Sequence, residues 1–348
     1  MRILFLTPWY PSEKDAMSGL FVQKHAEAVR AQGCDVRVIC SSGWCDMWRQ
    51  WKALRREGWT PDVVQLNVIQ KQGLLALWLK IRFHIPYIII EHWSGYLLEN
   101  GQFRHMHKWQ RNLYRRIAAS ANMILPVSRR LMDAMHSCRI YNPNWRTINN
   151  VVDDFFFKER KSQIENPKSK ILLHVSCFDE QAKNVKGLLR AAKMLSEKRQ
   201  DWKLVLIGTG VDYEEVRAFA KRLEIPKTLL EWTGELPPKE VAEWMHKADA
   251  LVLSSRYETY GVVLAEAAAA GLPILSTPVG IAEELGALIV SQEIAQNKPG
   301  TFAEFMEKVL FSDYSDKSKK SDYSERFTAD TIGRQLVSIY DSCLYRDI

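Results

Sequence analysis

Residues 250–277 read ALVLSSRYETYGVVLAEAAAAGLPILST. ALVLSS (250–255) is an apolar run with the length of a buried strand. GVVLAEAAAAG (261–271) is rich in strong helix formers and ends on a glycine suited to a helix C-terminus. PILST (273–277) resumes a strand. Strand, helix and strand in one short stretch make a βαβ unit, and such units build parallel sheets. RYETYG (256–261) is therefore a strand-to-helix turn at the carboxyl edge of the sheet, where ligands of open α/β sheets bind.

Two glutamates bracket that turn. Glu258 lies in the loop, and Glu266 lies about one and a half turns into the helix. The amides of Tyr260, Gly261 and Val262 open the helix between them. A helix N-terminus carries about half a positive charge and is a ready site for a phosphate or diphosphate. Carboxylates repel phosphate, so the glutamates suit hydroxyl groups: Glu266 a ribose diol, Glu258 a sugar. A sugar nucleotide holds these three parts in order. On spacing alone, a solvated loop residue and a surface helix residue explain the pair equally well.

The same alternation runs outward along the chain. Strands are read at 2–7, 35–40, 63–68, 87–92, 123–127 and 146–152, with a helix at 19–33 and Ser128 capping another. KERKSQIENPKSK (158–170) is polar and reads as a linker. Strands then restart at 171–176, 203–208 and 228–234, with helices at 185–198, 211–223 and 238–248 between them. The tail breaks at KSKKSDYSE (317–325) and continues as an amphipathic helix, TADTIGRQLVSIYDSCL (328–344), able to pack on either domain. The reading is an α/β chain of two doubly wound domains, 1–160 and 161–325, with a terminal helix over 326–348.

Composition narrows the function classes. With 47% hydrophobic and 26% charged residues the 348-residue chain is globular, and its length suits two domains. No apolar run reaches the roughly 18 residues of a spanning helix. The opening MRILFLTPWYPSEKD reads as a buried strand and not as a secretory leader, which places the protein in the cytoplasm. Six cysteines show no metal spacing and read as reduced thiols. The net charge of +7 favours anionic partners such as nucleotide phosphates or an anionic membrane. Nucleic acid is a poor fit, because no recognition motif accompanies the charge.

RYETYGVVLAEAAAAGLPILSTPVG resembles the signature of retaining family-4 glycosyltransferases of the GT-B fold. The opening MRILFLTPWYPSEKDAMSGLFVQKHAEAVRAQGCDVRVI, then IPYIIIEHWSG, ILPVSRRL, INNVVDDFF, KGLLRAAKML, LVLIGTG and WTGELP, follow in the expected order. The resemblance implies two Rossmann-like domains facing across a cleft, the first for the acceptor and the second for the donor, with the terminal helix crossing back to the first. It implies that Glu258 contacts the donor sugar, that Glu266 contacts the ribose, and that the amides of Tyr260, Gly261 and Val262 hold the diphosphate. By the Lys-Gly pair it assigns a phosphate lysine to Lys186, and by LVLIGTG a nucleotide contact to Gly210. It further implies that His92 faces the donor sugar and that Gly19 lets the first loop approach the phosphates, though Gly19 reads equally as an N-cap glycine.

Two departures stand out. Cys177 occupies the place of a usual arginine, leaving one diphosphate cation to be supplied, with Lys183 as the substitute. Val151 stands where a glycine is common. No Asp-x-Asp occurs, which agrees with positive charge supplied by protein and not by metal, and no cofactor is expected beyond a UDP- or GDP-sugar donor. The acceptor expected is a glycan or a lipid-linked glycan. WCDMWRQWKALRREGW (44–59) and FRHMHKWQRNLYRRI (103–117) mix tryptophan with cations, which suits either the inner face of a membrane or a core-facing stripe with a solvated basic side. A nucleotide-sugar epimerase and a binding protein that has lost turnover are the alternatives. A nicotinamide dehydrogenase fits least well, since no G-x-G-x-x-G follows the first strand.

Overall fold

The computed structural model describes residues 1–13, 15, 17–158, 169–312, 323 and 325–344. Most of the linker read at 158–170 and of the polar break read at 317–325 lies outside them. The chain divides into two compact units, Met1–Val151 with Arg326–Ile348, and Val152–Glu325. The first boundary falls before residue 160 because a short 3-10 turn, Asp154–Phe157, belongs to the second unit: Phe156 is buried there, and the Phe155 carbonyl accepts from His246 Nε2 at 3.1 Å.

The first unit runs β1 (Arg2–Thr7), α1 (Leu20–Ala31), β2 (Asp35–Cys40), α2 (Trp44–Arg56), β3 (Val63–Asn67), α3 (Gln72–Phe83), β4 (Tyr87–Glu91), α4 (Gln102–His105), α5 (Lys108–Ser120), β5 (Met123–Pro126) and α6 (Arg129–Ser137). Its strands form a parallel sheet in the order β2-β1-β3-β4-β5. Ile3 to Leu6 are fully buried, as a strand covered by helices on both faces must be. Ser128 caps α6 as read, its hydroxyl accepting from the Leu131 N–H at 3.1 Å. The strand read at 146–152 is absent among the described residues. Arg146 and Ile148 donate to Ile124 and Pro126 beside β5, but the backbone then leaves, because the Asn149 carbonyl turns to His25 Nε2 at 3.1 Å.

The second unit runs β6 (Lys170–Val175), α7 (Glu180–Lys183), α8 (Val185–Lys198), β7 (Trp202–Ile207), α9 (Tyr213–Arg222), β8 (Leu230–Gly234), α10 (Pro238–Lys247), β9 (Ala250–Leu253), α11 (Val262–Ala269), β10 (Ile274–Ser276), β11 (Leu288–Ile289), α12 (Gln292–Asn297) and α13 (Pro299–Phe311). Its parallel sheet has the order β11-β10-β9-β6-β7-β8. Trp202, Leu204 and Leu206 of β7 pack with Leu188 and Leu195 of α8 and Phe302 of α13 in the core. Each buried leucine there contributes about 2 kcal/mol.

The last helix, α14 (Ala329–Leu344), belongs to the first unit. A Cβ at Gly333 would lie 2.4 Å from the Ala28 carbonyl oxygen, so glycine lets α14 and α1 approach backbone to backbone. Tyr340, fully buried, donates its hydroxyl to Gln65 of β3.

Candidate functional site

In the second unit the chain travels from β6 through β7 to β8 and then returns to lay β9 on the other side of β6. Loops leaving two strands at such a reversal diverge and open a crevice at the carboxyl edge. The loops here are residues 176–184 and 254–261, and side chains tie them together. Ser254 donates its hydroxyl to the carbonyls of Lys183 and Asn184, each at 3.0 Å. His174 donates from Nδ1 to the Val252 carbonyl at 2.9 Å, while its Nε2 accepts from Ser176 at 2.8 Å. Burial lowers the His174 pKa to about 4, so this link between β6 and β9 is neutral.

Arg256 locks the end of α7. Its backbone N–H donates to Ala182 at 2.7 Å. The guanidinium donates to the carbonyls of Glu180 and Gln181 and, at 3.0 Å, to Asn184 Oδ1. The last carbonyls of a helix have no partner within it, and here Arg256 serves those of Glu180, Gln181 and Ala182 while Ser254 serves that of Lys183. Gln292 of α12 donates in turn to the carbonyls of Ser255 and Arg256 at 2.9 and 3.0 Å.

That lock fixes Lys183, the last residue of α7. Lys183 Nζ lies 2.5 Å from Glu258 Oε1, and both side chains are about 15% exposed, at 15% and 16%. Ser255 donates to the same carboxylate oxygen at 3.0 Å. Burial opposes charge on the amine, but Glu258, Cys177 and Asp179 together outweigh it and raise the Lys183 pKa, so the amine is a cation.

Beside this pair α11 begins. Gly261 caps it with φ 74, a left-handed backbone that favours glycine. The Leu264 N–H donates to the Gly261 carbonyl at 2.9 Å, and the amides of Val262 and Val263 before it lie at the open helix start. Tyr260 is buried, and its carbonyl accepts from Ile281 at 3.0 Å. A Cβ at Gly280 would meet that carbonyl oxygen at 2.0 Å, so the loop after β10 braces the turn. Glu266 stands half-buried on α11, one turn beyond Val262.

Two further residues singled out from the sequence make contacts of their own within the second unit. Lys186 gives its amine to Glu215 of α9 at 2.5 Å and lies over the Phe219 ring. It sits in the first turn of α8, and the helical rotation there turns it to α9; Lys183, at the end of α7, faces the β9 loop. Gly210 packs against backbone: a Cβ there would lie 2.6 Å from the Phe178 nitrogen. Exposed Cys177 adds no cation.

In the first unit Gly19 caps α1 with φ 66, and a Cβ there would lie 2.4 Å from the Trp9 carbonyl. Gly19 is thus the N-cap of α1, and the first loop folds onto the start of that helix. His92 follows β4 with its ring 4.1 Å from Phe21 of α1 and 6.1 Å from His25. Its buried Nε2 has no hydrogen-bond partner, and burial, then His25, holds its pKa well below the usual histidine value. Glu91, fully buried, accepts from the N–H groups of Ile69, His92 and Trp93 at 3.1, 3.0 and 2.9 Å. Burial raises its pKa to about 7. Sequence reasoning missed Arg256, His174 and Glu91. Arg256 and Glu91 lie inside quoted motifs, but no spacing says which side chain turns back to hold a loop.

A family model described as Glycosyl transferases group 1 matches residues 155–326, and one described as Glycosyltransferase Family 4 matches residues 42–154. The two matches adjoin and cover most of the chain. The chain belongs to the group 1, family 4 glycosyltransferases. An N-acetyl-alpha-D-glucosaminyl L-malate synthase of Bacillus anthracis is 28% identical over 249 residues, 68% of this chain and 64% of that protein. A lipopolysaccharide 1,6-galactosyltransferase of Escherichia coli K12 is 34% identical over 28% of this chain and 26% of its own. The chain thus spans less than two thirds of these relatives. Among solved structures, a sucrose-phosphate synthase from Thermosynechococcus elongatus superposes with a TM-score of 0.77 at 17% identity, covering 98% of this chain and 99% of that one. HepE of Anabaena, in complex with UDP, gives 0.74 at 16% identity over 98% and 100%. At such identities the likeness is one of fold, and the family 4 chain has the GT-B fold with two Rossmann-like domains. No described helix is long and apolar enough to cross a membrane.

Proposed function

We propose that the protein transfers a sugar from a nucleoside diphosphate sugar to a hydroxyl of a glycan or lipid-linked acceptor, retaining the anomeric configuration and using no metal. The observation that carries this is the Lys183–Glu258 pair beside the start of α11, at the strand reversal of the second unit. The amides of Gly261 and Val262 and the Lys183 cation meet the diphosphate, Glu258 binds a sugar hydroxyl, and Glu266 binds the ribose. The bond from the anomeric carbon to the diphosphate breaks with its electrons leaving on phosphate, and fixed positive charge stabilises that leaving group. The acceptor oxygen bonds to the same carbon, and its proton passes to the departing diphosphate. His92, neutral and with an open Nε2, is equipped to hold a hydroxyl group. Relatives named as glycan-building enzymes and the UDP in HepE support this reading.

Lys183 supplies the cation that Cys177 does not. Cys177 favours a second reading, a nucleotide-sugar-binding protein without turnover. A panel of UDP-, GDP- and ADP-sugars, read by calorimetry and by nucleotide released, separates the two. The transferase reading predicts tight binding of one donor with slow hydrolysis, both lost in Glu266→Ala. Binding with no turnover, even with lipid-linked acceptors, favours the second. No binding of any donor defeats both.

A further inference from the structure

We infer that the outer surface of α2, α3 and α5 is a docking face for an anionic lipid bilayer. The connections β2 to β3, β3 to β4 and β4 to β5 all travel the same way across the sheet, so right-handed crossovers put these three helices on one face. They form a continuous layer. Trp48 of α2 meets Trp78 of α3 with ring centroids 4.7 Å apart, and Gly73 of α3 lies close under Ile117 of α5.

The layer carries charge of nearly one sign. α2 holds Arg49, Lys52, Arg55 and Arg56 against one acid, Asp46. α3 adds Arg82, and α5 adds Lys108, Arg111 and Arg116, with no acid in either helix; Lys80 and Arg115 turn instead to the Ser120 and Cys138 carbonyls. Apolar groups stand among these cations. Trp44, Trp48, Trp78 and Phe83 make an aromatic row from α2 to α3 with centroid steps of 5.7, 4.7 and 5.2 Å. Arg55 and Arg82 lie over the Phe83 ring at 5.4 and 5.2 Å. At its edges Trp44 is 44% exposed, and Ile81 and Trp109 are each 65% exposed.

Cations alone would suit any polyanion. Exposed Ile81 and Trp44 beside them favour a surface that takes apolar side chains below a layer of negative headgroups, which is a bilayer interface. Guanidinium groups laid on aromatic rings keep charge at headgroup level while the rings face inward. This assignment goes beyond the transfer reaction, and its test does not depend on turnover.

The test sediments the full-length protein with vesicles of phosphatidylcholine alone and with about one third phosphatidylglycerol. Binding to the anionic vesicles and little to the neutral ones is expected. Lys52→Glu with Arg56→Glu is expected to lower the partition about tenfold or more, since each cation near such a surface contributes independently. Trp44→Ser with Ile81→Ser lowers it several-fold. Lys221→Glu with Lys239→Glu, equal in charge but exposed in the second unit, leaves it within about twofold. Thermal unfolding checks that each variant is folded, and the charge pair decides the matter should the apolar pair not fold. Equal loss in the second-unit pair, unchanged binding in both first-unit pairs, or binding to heparin without binding to vesicles would overturn the assignment.

Discussion

At the scale of single residues, the site depends on which lysine faces the β9 loop. Lys183 and Lys186 are three positions apart, and the Lys-Gly pair in the sequence points to the second. The structure sends Lys186 to Glu215 and Lys183 to Glu258, because the chain changes helix at Asn184, whose φ of 50 breaks the run. Lys183 was read as a substitute cation, but spacing carries no information on such a break, so its contact with Glu258 was not legible. Glu258, Glu266 and Gly261 were legible, because a strand-to-helix turn fixes their place at the sheet edge. Arg256 tests the lock on Lys183. Arg256→Ala should lower donor turnover about tenfold, through loss of hydrogen bonds to α7 carbonyls worth roughly 1 kcal/mol each. Arg256→Lys should not restore it, since an ammonium lacks the fork that reaches both Gln181 and Asn184. Steady-state kinetics with unfolding midpoints checks this; full turnover in Arg256→Ala would show that Lys183 needs no lock.

At the scale of elements, short apolar runs betrayed the strands of both sheets except the two-residue β11, while RTINNVV misled. Its residues have strand propensity, but the Asn149 carbonyl turns to His25 and ends the pairing. The loops after β3 and β4 are joined by Glu91, whose folded pKa of about 7 lies above the ordinary 4.5. The folded state therefore keeps a proton that the unfolded chain loses. The resulting stability is present below pH 4.5, falls as pH rises to about 7, and amounts to roughly 3 kcal/mol in all. Denaturant unfolding of wild type and Glu91→Gln across this window should show the slope in the first and its loss in the second. Parallel curves would remove Glu91 as the cause. Gly333→Val should destabilise the first unit by about 3 kcal/mol, because a side chain there overlaps the Ala28 carbonyl. An unchanged unfolding midpoint would mean that α14 does not pack this closely.

At the scale of the whole molecule, two parallel sheets with their strand reversals follow from the alternation of elements, and that much could be read from residues alone. The terminal helix could not be placed this way, since its apolar face suits either domain; the pairing of Gly333 with Ala28 and of Tyr340 with Gln65 fixes it on the first. The charge excess was legible as a number but not as a surface, because only the crossover direction puts α2, α3 and α5 on one face. The central claim remains chemical: fixed charge at the reversal of the second sheet stabilises a departing diphosphate. Nucleotide release from the best donor, compared between Lys183→Ala and Lys186→Ala, tests it most directly. The account predicts about a hundredfold loss in kcat/KM for Lys183→Ala and less than about threefold for Lys186→Ala. The reverse order, or equal small losses, would contradict it.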